Sequence, residues 1–104
     1  MYLARVIGSV VSTKKDESMR GRKLLMVRPM LIDPEDPGKF KLGANTIVAI
    51  DTLGAGEGEL VMIAQGSSAR QATGLKSLPV DAAIVGLVDT VNVLGKKTYT
   101  ARDN

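Results

Sequence analysis

Gly54-Ala55-Gly56-Glu57-Gly58 is the stretch that most invites chemistry. Clustered glycines can turn backbone amides toward a phosphate. A Walker loop, however, needs Lys followed by Ser or Thr after its last glycine, and here Glu59-Leu60 follows. A dinucleotide loop opens a helix whose amides face the pyrophosphate. Here a strand-like run follows, and Glu57 and Glu59 would repel an anion. The pattern favours a structural turn that needs positive φ or the close approach of another chain. Gly66-Ser67-Ser68-Ala69-Arg70 offers two hydroxyl nucleophiles but no histidine base, and it lacks the Gly-x-Ser-x-Gly elbow. Either serine serves as a helix N-cap. Arg70 fits a carboxylate on another chain or a plain place on the surface. Asp51, Asp81 and Asp89 sit in apolar sequence without metal-like spacing. Asp51 and Asp81 are expected to accept hydrogen bonds from turn or loop amides. No catalytic residue, metal site or cofactor is expected.

Composition points the same way. The 104 residues include neither His nor Cys, so the usual neutral-pH acid–base group and thiolate ligands are missing. Disulfides are excluded too. A chain of this length supports one modest core, burying roughly 60–70% of its unfolded surface. With 44% hydrophobic but 3% aromatic residues, that core must be aliphatic. The segment Thr13–Lys23 carries Lys14, Lys15, Arg20, Arg22 and Lys23 against Asp16 and Glu17, which accounts for the whole net charge of +3. It reads as a solvated loop or as a contact for an acidic surface or nucleic acid. Met1–Val6 lacks the features of a signal peptide, and no apolar run approaches the ~20 residues of a membrane helix. A cytoplasmic protein with no membrane partner is expected.

These segments must be positioned by a mainly β fold. Tyr2–Ser12 reads as a strand with Ala4, Val6 and Val10 on one face and Leu3, Ile7 and Val11 on the other. A strand apolar on both faces suggests a barrel wall whose outside is also covered, by another subunit for instance. Leu24–Asp33 is a second strand, with Pro29 marking an edge or a bulge. The turn formers of Asp33–Gly38 reverse the chain. Asn45–Leu53 and Glu59–Gln65 flank the glycine stretch and read as a hairpin. A short helix follows, built on Ala69–Ala72 and ended by Gly74. Below about 12 residues it must dock on the sheet to persist. Ala83–Leu94 is the last long strand, with Val85, Leu87, Val91 and Val93 on one face. Gly95-Lys96-Lys97 is a turn, and Thr98-Tyr99-Thr100 a short edge strand. The expected fold is a small five-stranded OB-like β-barrel with one short helix before the last long strand. Residues 1–94 form the domain; residues 95–104 form a C-terminal turn, edge strand and polar tail.

In order, these segments resemble the EutN/CcmL family of bacterial microcompartment vertex proteins. The likeness runs through Leu3–Lys15, Leu24–Val27, Val48–Glu59, Gly66–Arg70 and Pro79–Asp89. It covers most of positions 3–93, with Asp33–Gly43 the poorest match. It implies an OB-like barrel that forms a cyclic pentamer at the vertices of a polyhedral shell, beside hexameric shell proteins. It also implies a narrow opening on the five-fold axis, with Gly54, Ala55, Gly56, Glu57 and Gly58 at or near it. Glu57 would then form a ring of like charge. Arg5, Arg70, Lys14, Lys15 and Arg20 are assigned to subunit or shell contacts. The first and last strands could supply the two different faces that a ring requires. The glycine stretch looks like catabolic members, whereas Lys76–Pro79 and the tail look like carboxysome members. The alternative is an OB-like module for single-stranded nucleic acid. Stacking platforms worth ~1–3 kcal/mol per base need aromatics, and Tyr2, Phe40 and Tyr99 are the only ones present, which disfavours it.

Overall fold

The computed structural model describes residues 1–13, 17–71 and 80–101. Its strands are β1 (Tyr2–Val10), β2 (Lys23–Ile32), β3 (Phe40–Leu42), β4 (Ile47–Asp51), β5 (Leu60–Gln65), β6 (Ala82–Leu87), β7 (Thr90–Val93) and β8 (Lys96–Thr100), with helix α1 (Ser67–Arg70) between β5 and β6. Five strands close into a barrel in the order β1-β5-β6-β4-β2, and β2 pairs back to β1. All of these pairs are antiparallel except β4–β6. This is the mainly β, OB-like barrel expected from the sequence.

Alternation builds the interior. Ala4 and Val6 of β1, Leu25 and Val27 of β2, Ala49 of β4, Val61 and Ile63 of β5, and Ala82 and Ile84 of β6 form one buried cluster. Each fully buried Val, Leu or Ile contributes about 1.5–3 kcal/mol. A second cluster covers the outside of β4 and β6, where Ala69 and Val80 pack on Ile50 and Ala83. In a third, Tyr99 packs with Met30 and Leu60, and Leu3 lies against it. The outer face of β1 is therefore covered in part by the chain's own C-terminal strand. Ile7, the extra residue of a bulge between Val6 and Gly8, stays 41% exposed.

Five expectations change. β4 and β5 do not form a hairpin, because β6 lies between them. Residues of β6 are buried on both faces, Ala82 and Ile84 inward and Ala83 outward. A strand apolar on both sides belongs inside a sheet. The long strand over Ala83–Leu94 is two strands. Val88 N donates to Leu60 O, at the start of β5, and beyond it β7 pairs only with β8. The turn is Leu94-Gly95, and Lys96 and Lys97 belong to β8. β3, which was not expected, follows the turn-rich segment; it is three residues long and pairs with Met30–Ile32. The helix N-cap is Gly66, with no side-chain cap. Its φ of 63° and ψ of −142° lie where a serine is disfavoured. Ala72 and Gly74, expected in and after the helix, lie outside the described residues.

Pro29 pairs with Ala4 and falls between the part of β2 that meets β4 and the part that meets β3. Its missing N–H is tolerated at that change of partner. The segment after β1 contains a 3₁₀ turn at Glu17–Met19.

Candidate functional site

The glycine stretch closes one end of the barrel, and the residues around it hold it rigidly. Asp51 ends β4 with its carboxylate fully buried. Its Oδ1 accepts from Leu53 N at 2.9 Å, and its Oδ2 accepts from Ala55 N at 2.8 Å. Lys23, at the start of β2, reaches over the same loop. Its ammonium donates to Ala55 O at 2.8 Å and lies 3.7 Å from Asp51 Oδ2. Glu59 Oε1 accepts from Gly56 N at 2.7 Å. Gly58 N donates to Val6 O and Val6 N to Glu59 O, so the loop's far end is stitched to β1. Arg5 Nη1 donates to Gly58 O at 2.6 Å, and the guanidinium carbon lies 5.8 Å from the centre of the Tyr99 ring.

Two glycines are conformational requirements. Gly54 and Gly58 have φ of 87° and 85°, the left-handed region that side chains with Cβ avoid. No heavy atom lies within 4 Å of where a Cβ would stand at either. Ala55 is 1% exposed and packs into the barrel core. Glu57 is exposed at the tip.

This arrangement decides what the loop can do. The amides of Leu53, Ala55, Gly56 and Gly58 already face Asp51, Glu59 and Val6. They are not free to cradle a phosphate. Asp51, the buried charged residue among those described, has both oxygens on loop amides, as expected, and acts as a structural acceptor. Asp81 differs: its side chain is exposed, and it is its backbone oxygen that accepts from Gly66 N at 2.7 Å. Burial, and then the negative charge of Asp81, push the Tyr2 phenol above its ordinary value. Asp89 is exposed, and its carbonyl accepts from Ala101 N.

Of the residues assigned to contacts, Arg5 joins the loop directly. Arg70 Nη1 donates to Val80 O at 3.3 Å within the chain. Arg20 forms an exposed ion pair with Glu17 at 2.8 Å. Lys14 and Lys15 lie outside the described residues. The structure adds Lys23 and Glu59 as loop holders. Lys23 was hidden in the basic segment; Glu59, three residues after Gly56, is a legible spacing for a loop-closing acceptor. The aromatics form no common platform: Tyr2 packs on the barrel interior, whereas Phe40 and Tyr99 share the third cluster.

Residues 1–89 match the family model described as ethanolamine utilisation protein EutN/carboxysome. The chain is 49% identical over 94 residues to the bacterial microcompartment shell vertex protein GrpN of Rhodospirillum rubrum, covering 90% of this chain and 99% of that one. The solved structure of the GrpN pentameric microcompartment shell protein superposes with a TM-score of 0.73 at 45% identity, over 90% of this chain and 99% of that chain. The structure of Gloeobacter violaceus CcmL superposes with a TM-score of 0.85 at 40% identity, over 99% of this chain and all of the other.

Proposed function

The chain belongs to the EutN/CcmL family, and from that premise we propose that it is a vertex protein of a bacterial microcompartment shell, working as a cyclic pentamer. The observation that carries this reading is a relative matched over nearly its whole length, named a shell vertex protein and solved as a pentamer. The role is geometric. Hexagonal tiles alone make a flat sheet, and five-fold units introduce the curvature that closes it. The partners are further copies of this chain and hexameric shell proteins, and the place is the shell, within the cytoplasm.

Such a task needs rigidity and complementary faces rather than catalysis. The glycine loop suits the five-fold axis. Its conformation is held by Asp51, Lys23, Glu59 and Arg5. Gly54 and Gly58 leave open space beside the backbone, which lets symmetry copies approach. Glu57, exposed at the tip, then forms a ring of negative charge. Exposed apolar side chains such as Val48, Leu31 and Leu42 suit burial between subunits or against the shell.

Native mass spectrometry tests the reading directly. A ring of five copies at micromolar concentration is expected. A protein that stays monomeric under mild conditions would sink the vertex role.

A further inference from the structure

The family match ends at residue 89, and the β7–β8 hairpin begins at the next residue. This hairpin forms its own two-stranded sheet and pairs with no barrel strand. Tyr99 anchors its base, and Thr98 Oγ1 donates to Pro37 O at 2.6 Å. The tip has no such explanation. Leu94 is 87% exposed and has a φ of 50°, the one positive value at a non-glycine residue among those described. With Gly95 at 78°, the tip has positive φ at both central positions, as a type I′ turn does. Asn-Gly is the favoured pair there. A bulky apolar side chain both strains the turn and meets water. Backbone strain retained at an exposed residue points to a contact that the isolated subunit lacks.

The same chain carries a matching recess. A pocket of about 150 Å3 opens on the outer side of β2 and β4, lined by Met19, Leu24, Val48, Ile50, Val80 and Ala82, with Asp81 among them. A cavity of roughly that volume holds a benzene-sized group, so it admits the isobutyl group of a leucine. The exposed Lys96, two residues beyond Leu94, complements the exposed carboxylate of Asp81. Leu94 is not among the residues that line the recess, so the two are brought together between copies, head to tail. That is the heterologous contact that generates a ring.

We propose that Leu94 of one subunit seats in the Met19–Leu24–Val48–Ile50–Val80 pocket of a second copy of this chain, with Lys96 facing Asp81. This contact rests on the pentameric reading and names one of its fastenings.

The cysteine-free sequence allows a clean test. The double variant Leu94→Cys, Val48→Cys is oxidised, and the products are resolved by denaturing electrophoresis and native mass spectrometry. The expected result is a reducible ladder of covalent oligomers ending at the closed ring, absent from either single variant. A ring of five without the intersubunit disulfide overturns this contact and leaves the vertex role standing. A chain that forms no ring overturns the vertex role and the contact with it. Leu94→Asn supplies an independent measurement, because asparagine suits the turn and leaves the subunit folded. It should weaken the ring's dissociation constant by about tenfold or more, the loss of one buried leucine. An unchanged ring would refute the proposal.

Discussion

Asp51→Ala is the substitution whose cost the structure specifies most fully. The carboxylate side chain is 0% exposed and accepts from Leu53 N and Ala55 N. Hydrogen bonds to a charged acceptor contribute about 1.5–3 kcal/mol each. Removing the acceptor strands the Ala55 amide in a buried site, and a stranded buried amide costs ~1–3 kcal/mol. The Lys23 ammonium at 3.7 Å adds little, since that side chain is 52% exposed and such pairs contribute about 0–1 kcal/mol. The expected loss is on the order of 3–5 kcal/mol, a large part of the roughly 5–15 kcal/mol that holds a domain. Asp51→Asn keeps one acceptor of the same shape and turns an NH2 toward the other amide. It should fall between wild type and Asp51→Ala. Urea unfolding followed by far-UV circular dichroism measures both, at one fixed protein concentration because assembly is coupled to folding. The Asp51→Ala midpoint on heating should drop by more than about 10 °C. An Asp51→Ala protein within about 0.5 kcal/mol of wild type would refute the reasoning, as would an Asn variant weaker than the Ala variant.

Two further outcomes follow from the loop and from the first strand. Gly58→Ala meets no neighbour at its Cβ, but its φ of 85° should cost about 1–2 kcal/mol, read by the same unfolding assay; an alanine that stabilises would contradict the left-handed assignment. Tyr2 has its phenol raised above 10 by burial and then by Asp81. The unfolded chain therefore ionises first, so stability should hold below pH 10 and fall as the pH rises through the folded value. Ultraviolet titration of a Tyr99→Phe variant isolates Tyr2, and ionisation at or below 10 would count against that environment.

Much of this protein was legible before folding was considered. The two-faced apolar pattern of Tyr2–Ser12 located β1, and the missing His and Cys left no thiolate or imidazole for a site to use. The negative neighbours of the glycine stretch, Glu57 and Glu59, argued against phosphate. These are local properties, carried by side-chain type and by spacings of a few residues. Asp51 could be expected to hold loop amides because such bonds close over two to four residues, as they do to Leu53 and Ala55.

Pairing between distant segments was not legible. Nothing in Ile47–Asp51 and Leu60–Gln65 says that they must be separated by β6; that follows only when Ala83 and Ile84 both need burial, on opposite faces of one strand. Asp81 lies in the same kind of apolar sequence as Asp51, yet its carboxylate faces water. Lys23 joined the loop because barrel closure sets the start of β2 beside the end of β4. Leu94 looked like the end of a long strand, and only the running-out of β5 turned it into an exposed tip. Local sequence determined which segments extend and which turn. Tertiary structure decided which of them meet, because a barrel must satisfy every strand edge and both faces of its central strands at once.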